Sequence, residues 1–169
     1  MESRTKERLP YRENCEGYFL YNNNEVVAQD TGKGFVIFPG GGVDKNETPL
    51  EAIKRETFEE TGAVFEGSIR EIKVIYFDWD REWAKTKKQK ERYSKFRGEE
   101  MHFFIGRVKE FTKPVGDLSD EWIGKKTMLI DDAIRLINKD RPFSEDLEGY
   151  RKIQLDSLKL LKEGSFGFE

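Results

Sequence analysis

Cysteine is almost missing from this chain: Cys15 stands alone, which excludes an intrachain disulfide and a thiolate metal cluster. A reducing, cytoplasmic compartment is the expectation. Nowhere do eighteen apolar residues run together, and the charged opening stretch MESRTKERLPYRENCEG lacks the apolar core of a secretion signal. The expected protein is therefore soluble, not exported by that route and without a membrane partner. Charge of one sign is also scarce in the balance. A formal net charge of -3 gives no global case for nucleic-acid binding, which leaves only local patches. The chain has one histidine, His102, set between Met101 and Phe103. It is expected to be structural, as Cys15 is expected to be a small core residue. Internal repeats and low-complexity blocks are absent.

What is present is charge and aromatics. Charged residues make up 37% of the 169 positions, hydrophobic ones 36% and aromatic ones 13%. The length fits a single domain spanning 1–169, with a core leaning on phenylalanine and tyrosine under a densely charged surface.

Along the chain, GYFLYNNNEVVAQD reads as a hairpin around Asn22 to Asn24, where left-handed backbone is cheap. GFVIFPGGG reads as a buried strand, Phe35 to Phe38, stopped by Pro39 and followed by glycines that turn sharply or let a ligand approach. A helix follows. Thr48 suits the N-cap, Pro49 the first position and Glu51 the capping box, and Gly62 suits the residue after the end at about Thr61. IREIKVIYF, MHFFIGRV and TMLI read as further strands. IDDAIRLI reads as a short helix, and a longer one from Ser144 carries Leu147, Tyr150, Leu158 and Leu161 as its apolar stripe. Strands, helix, strands, helices argue for an α/β or α+β layered domain.

The helix after the glycines is crowded with acid. Glu56, Glu59 and Glu60 lie one turn apart on one side, while Leu50, Ile53 and Thr57 point the other way. Like charges at that spacing cost a few tenths of a kcal/mol each when exposed, roughly, and more when partly buried. A divalent cation with hard oxygen ligands offsets the cost, and Mg²⁺ suits such a set, with Mn²⁺ as an alternative. A solvated face neutralised by Lys54 and Arg55 is the plain alternative.

The full spacing decides between them. Gly41, five residues, Glu47, seven residues, Arg55-Glu56, two residues, Glu59-Glu60, one residue, Gly62 resembles the Nudix box, with each of its Gly, Glu and Arg positions filled. Thr57 and Ala63 depart from it, standing where the family prefers a bulky aliphatic residue. The resemblance implies a Nudix-type α/β/α sandwich around a mixed β-sheet. It also implies a metal-dependent hydrolase that cleaves a pyrophosphate bond in a nucleoside diphosphate linked to another moiety. By the same resemblance Glu56, Glu59 and Glu60 are metal ligands, joined by the Gly40 carbonyl; Arg55 orients them, and Glu47 braces the loop. Many family members carry a downstream glutamate that binds metal or acts as base, for which Glu121 is the candidate and Glu99 or Glu100 the rival. The general base is Glu56 or Glu121. Nudix proteins are often homodimers, and a homodimer is possible here.

The substrate is not fixed by the box. The residues that mark ADP-ribose, dinucleoside polyphosphate, coenzyme A and NADH subgroups are missing; Trp79 stands where the first group has proline. Nucleoside triphosphates rank first because they need no extra motif. Nucleotide sugars or ADP-ribose follow, then RNA 5′ ends, and a non-catalytic nucleotide sensor stands apart as a different class. Between about 79 and 99 lies a basic insertion, with eight Lys/Arg against two Glu over residues 81–97. Lys87 and Arg97 there, with Lys33 upstream, are candidates for gripping phosphate, and Trp79 for stacking on a base.

Overall fold

The computed structural model describes residues 6–114, 118–140 and 145–164. Its centre is a mixed sheet in the order β6-β7-β1-β2-β8, with β5 pairing to β1 as well. Strand β1 (Tyr11–Tyr21) turns through Asn22, at φ 54, into β2 (Glu25–Val27). Strands β3 (Gln29–Asp30) and β4 (Val36–Ile37) form a separate small ribbon. Strand β5 is Gly40–Gly42, β6 Ala63–Asp78, β7 Gly98–Phe111 and β8 Thr127–Leu129. β1 runs parallel to β7 from Tyr11 opposite Gly98 to Tyr21 opposite Val108, and the other pairs are antiparallel.

Alternation along β1 and β7 buries both faces of the sheet. Cys15, Phe19, Phe104 and Val108 pack with Ala52 and Ile53 of helix α1 (Pro49–Thr61). Tyr18, Leu20, Phe103 and Ile105 pack on the other face with Ala133 and Ile137 of α3 (Ile130–Lys139) and with Leu158 and Leu161 of α4 (Glu145–Glu163). The result is the α/β/α sandwich, held by apolar burial on two sides of one sheet. Leu147 and Tyr150 extend the α4 stripe as half-buried residues. Ser144, the expected helix start, lies outside the described residues.

Three local expectations change. The strand expected over Phe35 to Phe38 is only Val36–Ile37, and Phe35 is exposed. The glycines do not simply turn: Gly40, Gly41 and Gly42 pair as a strand with Glu16, Cys15 and Asn14. A Cβ on Gly40 would lie 2.1 Å from the Cys15 carbonyl oxygen, so that close pairing requires glycine. Leu50 is exposed in the first turn of α1, and Ala52 takes the buried position instead.

The basic insertion, unassigned from its sequence, forms a 3-10 turn (Arg81–Trp83) and helix α2 (Lys87–Lys95). Thr86 caps α2 with a reciprocal capping box to Gln89.

Candidate active site

Helix α1 presents its glutamates at a fixed height because both of its ends are specified. Thr48 accepts from the Glu51 amide at 3.1 Å. Gly62 closes the other end in the left-handed conformation at φ 75, with its amide on Phe58. Thr57 and Thr61 sit fully inside α1's buried side, donating to Ile53 and Thr57 carbonyls at 2.6 Å each. The hydroxyl at 57, unexpected at a packing position, is therefore satisfied by its own helix.

Arg55 organises the acidic face. Its guanidinium forks onto Glu47, Nε to Oε2 at 2.8 Å and Nη2 to Oε1 at 3.0 Å, and Nη2 also donates to the Gly42 carbonyl at 3.1 Å. Nη1 donates to Glu56 at 3.0 Å and to Glu59 at 3.2 Å. The planar fork suits this task where an ammonium would not. The Glu47 hydrogen bond raises Arg55 further above its ordinary range, and the same bond lowers Glu47. Glu47 also accepts from the Asp44 amide at 3.0 Å, so the loop and helix are braced at one point.

Glu60 is the most enclosed of the three. It accepts from the Gly40 amide at 2.9 Å and from Trp122 Nε1 at 3.0 Å. Burial pushes its carboxyl up to about 8, against those two donors and with help from Glu56 and Asp120. Glu56 is also raised, by burial first, with Arg55 opposing and Glu59 and Asp120 adding to the effect. Gly41 lies against it, since a Cβ there would come 2.6 Å from the Glu56 carboxyl carbon. Hard carboxylate oxygens, crowded and enclosed beside one arginine, are a donor set that fits Mg²⁺ or Mn²⁺.

The other sequence candidates are placed more variously. Gly40 meets Glu60 through its amide. Glu121 pairs with Lys126 at 3.7 Å, while its neighbour Asp120 is the acid felt by Glu56 and Glu60. Glu99 accepts from Asn14 Nδ2, and Glu100 lies next along β7 against His102. Lys33 is exposed in the β3–β4 connection, its amide on Thr31. Lys87 is exposed on α2. Arg97 is bound to Asp78 at 2.9 and 3.3 Å and lies over the Tyr11 ring. Trp79 stacks on Trp83, centroids 3.9 Å apart, and both line a cleft of about 420 Å³ with Phe77, Tyr150 and Glu99. Cys15 is buried, its thiol pushed up to about 12 by that burial, which leaves it inert.

Three participants were not singled out in the sequence. Arg12 lies over Gly42, which a Cβ would bring within 2.6 Å of its Nη2. Burial and then Arg92 lower its pKa, while Glu99 and Glu56 oppose the shift. Asp120 and Trp122 reach the glutamates from the loop before β8. Asp120 and Trp122 are chain neighbours of the candidate Glu121, yet nothing local marks either as the residue that reaches α1.

A family model described as the NUDIX domain matches residues 16–147. The chain belongs to the Nudix family. Among curated relatives, an RNA pyrophosphohydrolase of Helicobacter pylori is 36% identical over 74 residues, 43% of this chain and 43% of the relative. The match thus spans less than half of that protein. Among solved structures, a pyrophosphohydrolase of Bacillus subtilis superposes with a TM-score of 0.61 at 17% identity, covering 94% of this chain and 85% of that one. A Nudix hydrolase of Nitrosomonas europaea gives 0.53 at 15% identity, over 85% and 89%. At those identities the structures establish a shared Nudix fold.

Proposed function

We propose that this Nudix protein is a divalent-metal-dependent pyrophosphohydrolase acting on nucleoside diphosphate derivatives, with triphosphorylated RNA 5′ ends as the favoured substrate. The observation that carries the hydrolase reading is the convergence of Glu56, Glu59 and Glu60 beside the Gly40–Gly42 strand, under one arginine that already spans Glu47, Glu56 and Glu59. Glu56, Glu59, Glu60 and the Gly40 carbonyl would hold the metal, Mg²⁺ or Mn²⁺. When bound, the ion neutralises phosphate charge and makes water a better nucleophile.

The chain's own groups do the rest. Arg55 keeps two carboxylates aimed and holds their loop, so ligand positions are set before substrate arrives. Water attacks phosphorus, the anhydride oxygen leaves with the bonding pair, and the proton from water goes to a carboxylate. Glu56 is the acceptor we assign, because its carboxylate lies directly against Gly41 of the glycine strand, whereas Glu60 is taken by the Gly40 amide and Trp122 and Glu121 is paired with Lys126.

RNA is favoured over a free nucleotide by three things. The H. pylori relative carries that name. Helix α2 exposes Lys87, Lys88, Lys90 and Lys95 as a basic strip. The aromatic cleft under Trp79 and Trp83 offers stacking surface for a base beside Glu99 and Arg12. A panel of nucleotides and 5′-triphosphate RNA with Mg²⁺ or Mn²⁺, with both products identified, tests this directly. Turnover of free nucleoside triphosphates well above RNA would instead favour a nucleotide-pool enzyme, and binding without turnover a sensor.

A further inference from the structure

Glu99 and Glu100 are adjacent on β7 and serve opposite faces of the sheet. Glu99 takes the Asn14 amide and lines the Trp79 cleft with Tyr150, on the face covered by α4. Glu100 joins Glu13 of β1 and His102 on the other face, where the parallel register sets Glu13 beside Glu100 and Cys15 beside His102. One ligand atom from each of Glu13, Glu100 and His102 lies within 4.8 Å of the other two. From these residues we infer a second divalent-cation site, separate from the carboxylates of α1.

The histidine supplies the observation that an acidic cluster alone would lack. His102 is 9% exposed, and its Nδ1 is enclosed without a hydrogen-bond partner. Carboxylates stand on both sides of the ring: Glu100 Oε2 is 2.7 Å from Nε2, and Glu71 Oε2 of β6 is 3.4 Å from Nδ1. A ring that gives one nitrogen to a cation and the other N–H to a carboxylate satisfies both atoms, a common arrangement around metal-bound histidine. Three carboxylates around one imidazole leave negative charge in excess even with the ring protonated. Glu13 is exposed and Glu100 half-buried, so an ion has a route in from solvent. Imidazole with carboxylates suits Zn²⁺ or Co²⁺ better than Mg²⁺, which divides the labour between the two sites. The ion would clamp β1, β6 and β7 together at one end of the sheet.

The chain's single histidine makes the test simple. In full-length protein labelled with ¹⁵N-histidine, one equivalent of Zn²⁺ should shift one ring nitrogen sharply and leave the other as a protonated donor. Equilibrium dialysis of the triple variant Glu56→Gln, Glu59→Gln, Glu60→Gln should still show one Zn²⁺ bound. Adding Glu100→Gln or His102→Gln should weaken that binding at least tenfold, while His102→Gln alone keeps Mg²⁺-dependent hydrolysis. An unchanged ring spectrum with Zn²⁺, or Zn²⁺ binding undiminished by both added substitutions, would overturn the site and leave His102 as a ring held by Glu100 and Glu71 alone. The spectrum of the unsubstituted protein decides even if a variant fails to fold, and its failure is independent of whether RNA is the substrate.

Discussion

Glu59 touches only Arg55 among the described hydrogen bonds, at 3.2 Å, and its helix is fixed by other residues. Glu59→Gln should therefore lower metal-dependent turnover by about 10²-fold or more while the fold survives. Steady-state kinetics with circular dichroism as the fold control checks this; near-normal turnover would remove the ligand assignment. Glu60 makes a different prediction because its carboxyl sits near 8 instead of the ordinary 4.5. Between those values the folded protein without metal binds more protons than the unfolded chain, so its stability falls as pH rises through that window. A cation favours the ionised form. Metal binding at pH 7 should thus release up to one proton, with apparent affinity rising up to about tenfold per pH unit below 8. Calorimetry in buffers of different ionisation enthalpy reads the proton count, and zero release would contradict the enclosed, neutral Glu60. At this scale the spacing around Arg55 exposed most of the site to sequence reading, because Glu47, Glu56, Glu59 and Glu60 are local. Arg12 and Asp120 were illegible, since only the β1–β5 pairing and the loop before β8 bring them close.

Helix α1 depends on its ends. Gly62 has φ 75, and a Cβ there would fall 1.7 Å from the Thr112 carbonyl oxygen. Gly62→Ala should cost about 2 kcal/mol or more, seen as a lower urea midpoint, with loss of activity following from a displaced α1. Wild-type stability would show that the turn after α1 is less constrained than its backbone implies. Helix α2 carries its prediction on the surface. Replacing Lys87, Lys88 and Lys90 by alanine should flatten the dependence of RNA affinity on salt, lowering the slope of log affinity against log salt by up to about 2. An unchanged slope, measured on Glu59→Gln to prevent turnover, would detach α2 from substrate. The sequence announced α1 through Thr48, Pro49 and Gly62, each acting within a turn. Thr86-x-x-Gln89 announced α2 as clearly, beneath a run of lysines that drew attention to charge. Strand β6 was seen only in its second half, since Glu66, Gly67 and Ser68 interrupt its apolar alternation and the ladder shifts register there.

In the whole molecule, one mixed sheet carries acid on both of its faces. On one face α1, the glycine strand and Arg55 gather the carboxylates expected to handle a pyrophosphate; on the other, Glu99 and Tyr150 line the Trp79 cleft, and Arg12 feels both Glu99 and Glu56. The layered class was legible from the order of elements. The parallel β1–β7 pairing that sorts Glu99 from Glu100 was not, because nothing local in either strand encodes its distant partner. The most direct measurement is the fate of a short 5′-triphosphate RNA incubated with the protein and Mg²⁺, its products resolved by mass spectrometry. A 5′-monophosphate RNA with released pyrophosphate or phosphate, lost in Glu59→Gln, is expected. Intact RNA beside rapid hydrolysis of free nucleoside triphosphates would contradict the RNA reading, and no hydrolysis of any member of the panel would contradict the enzyme itself.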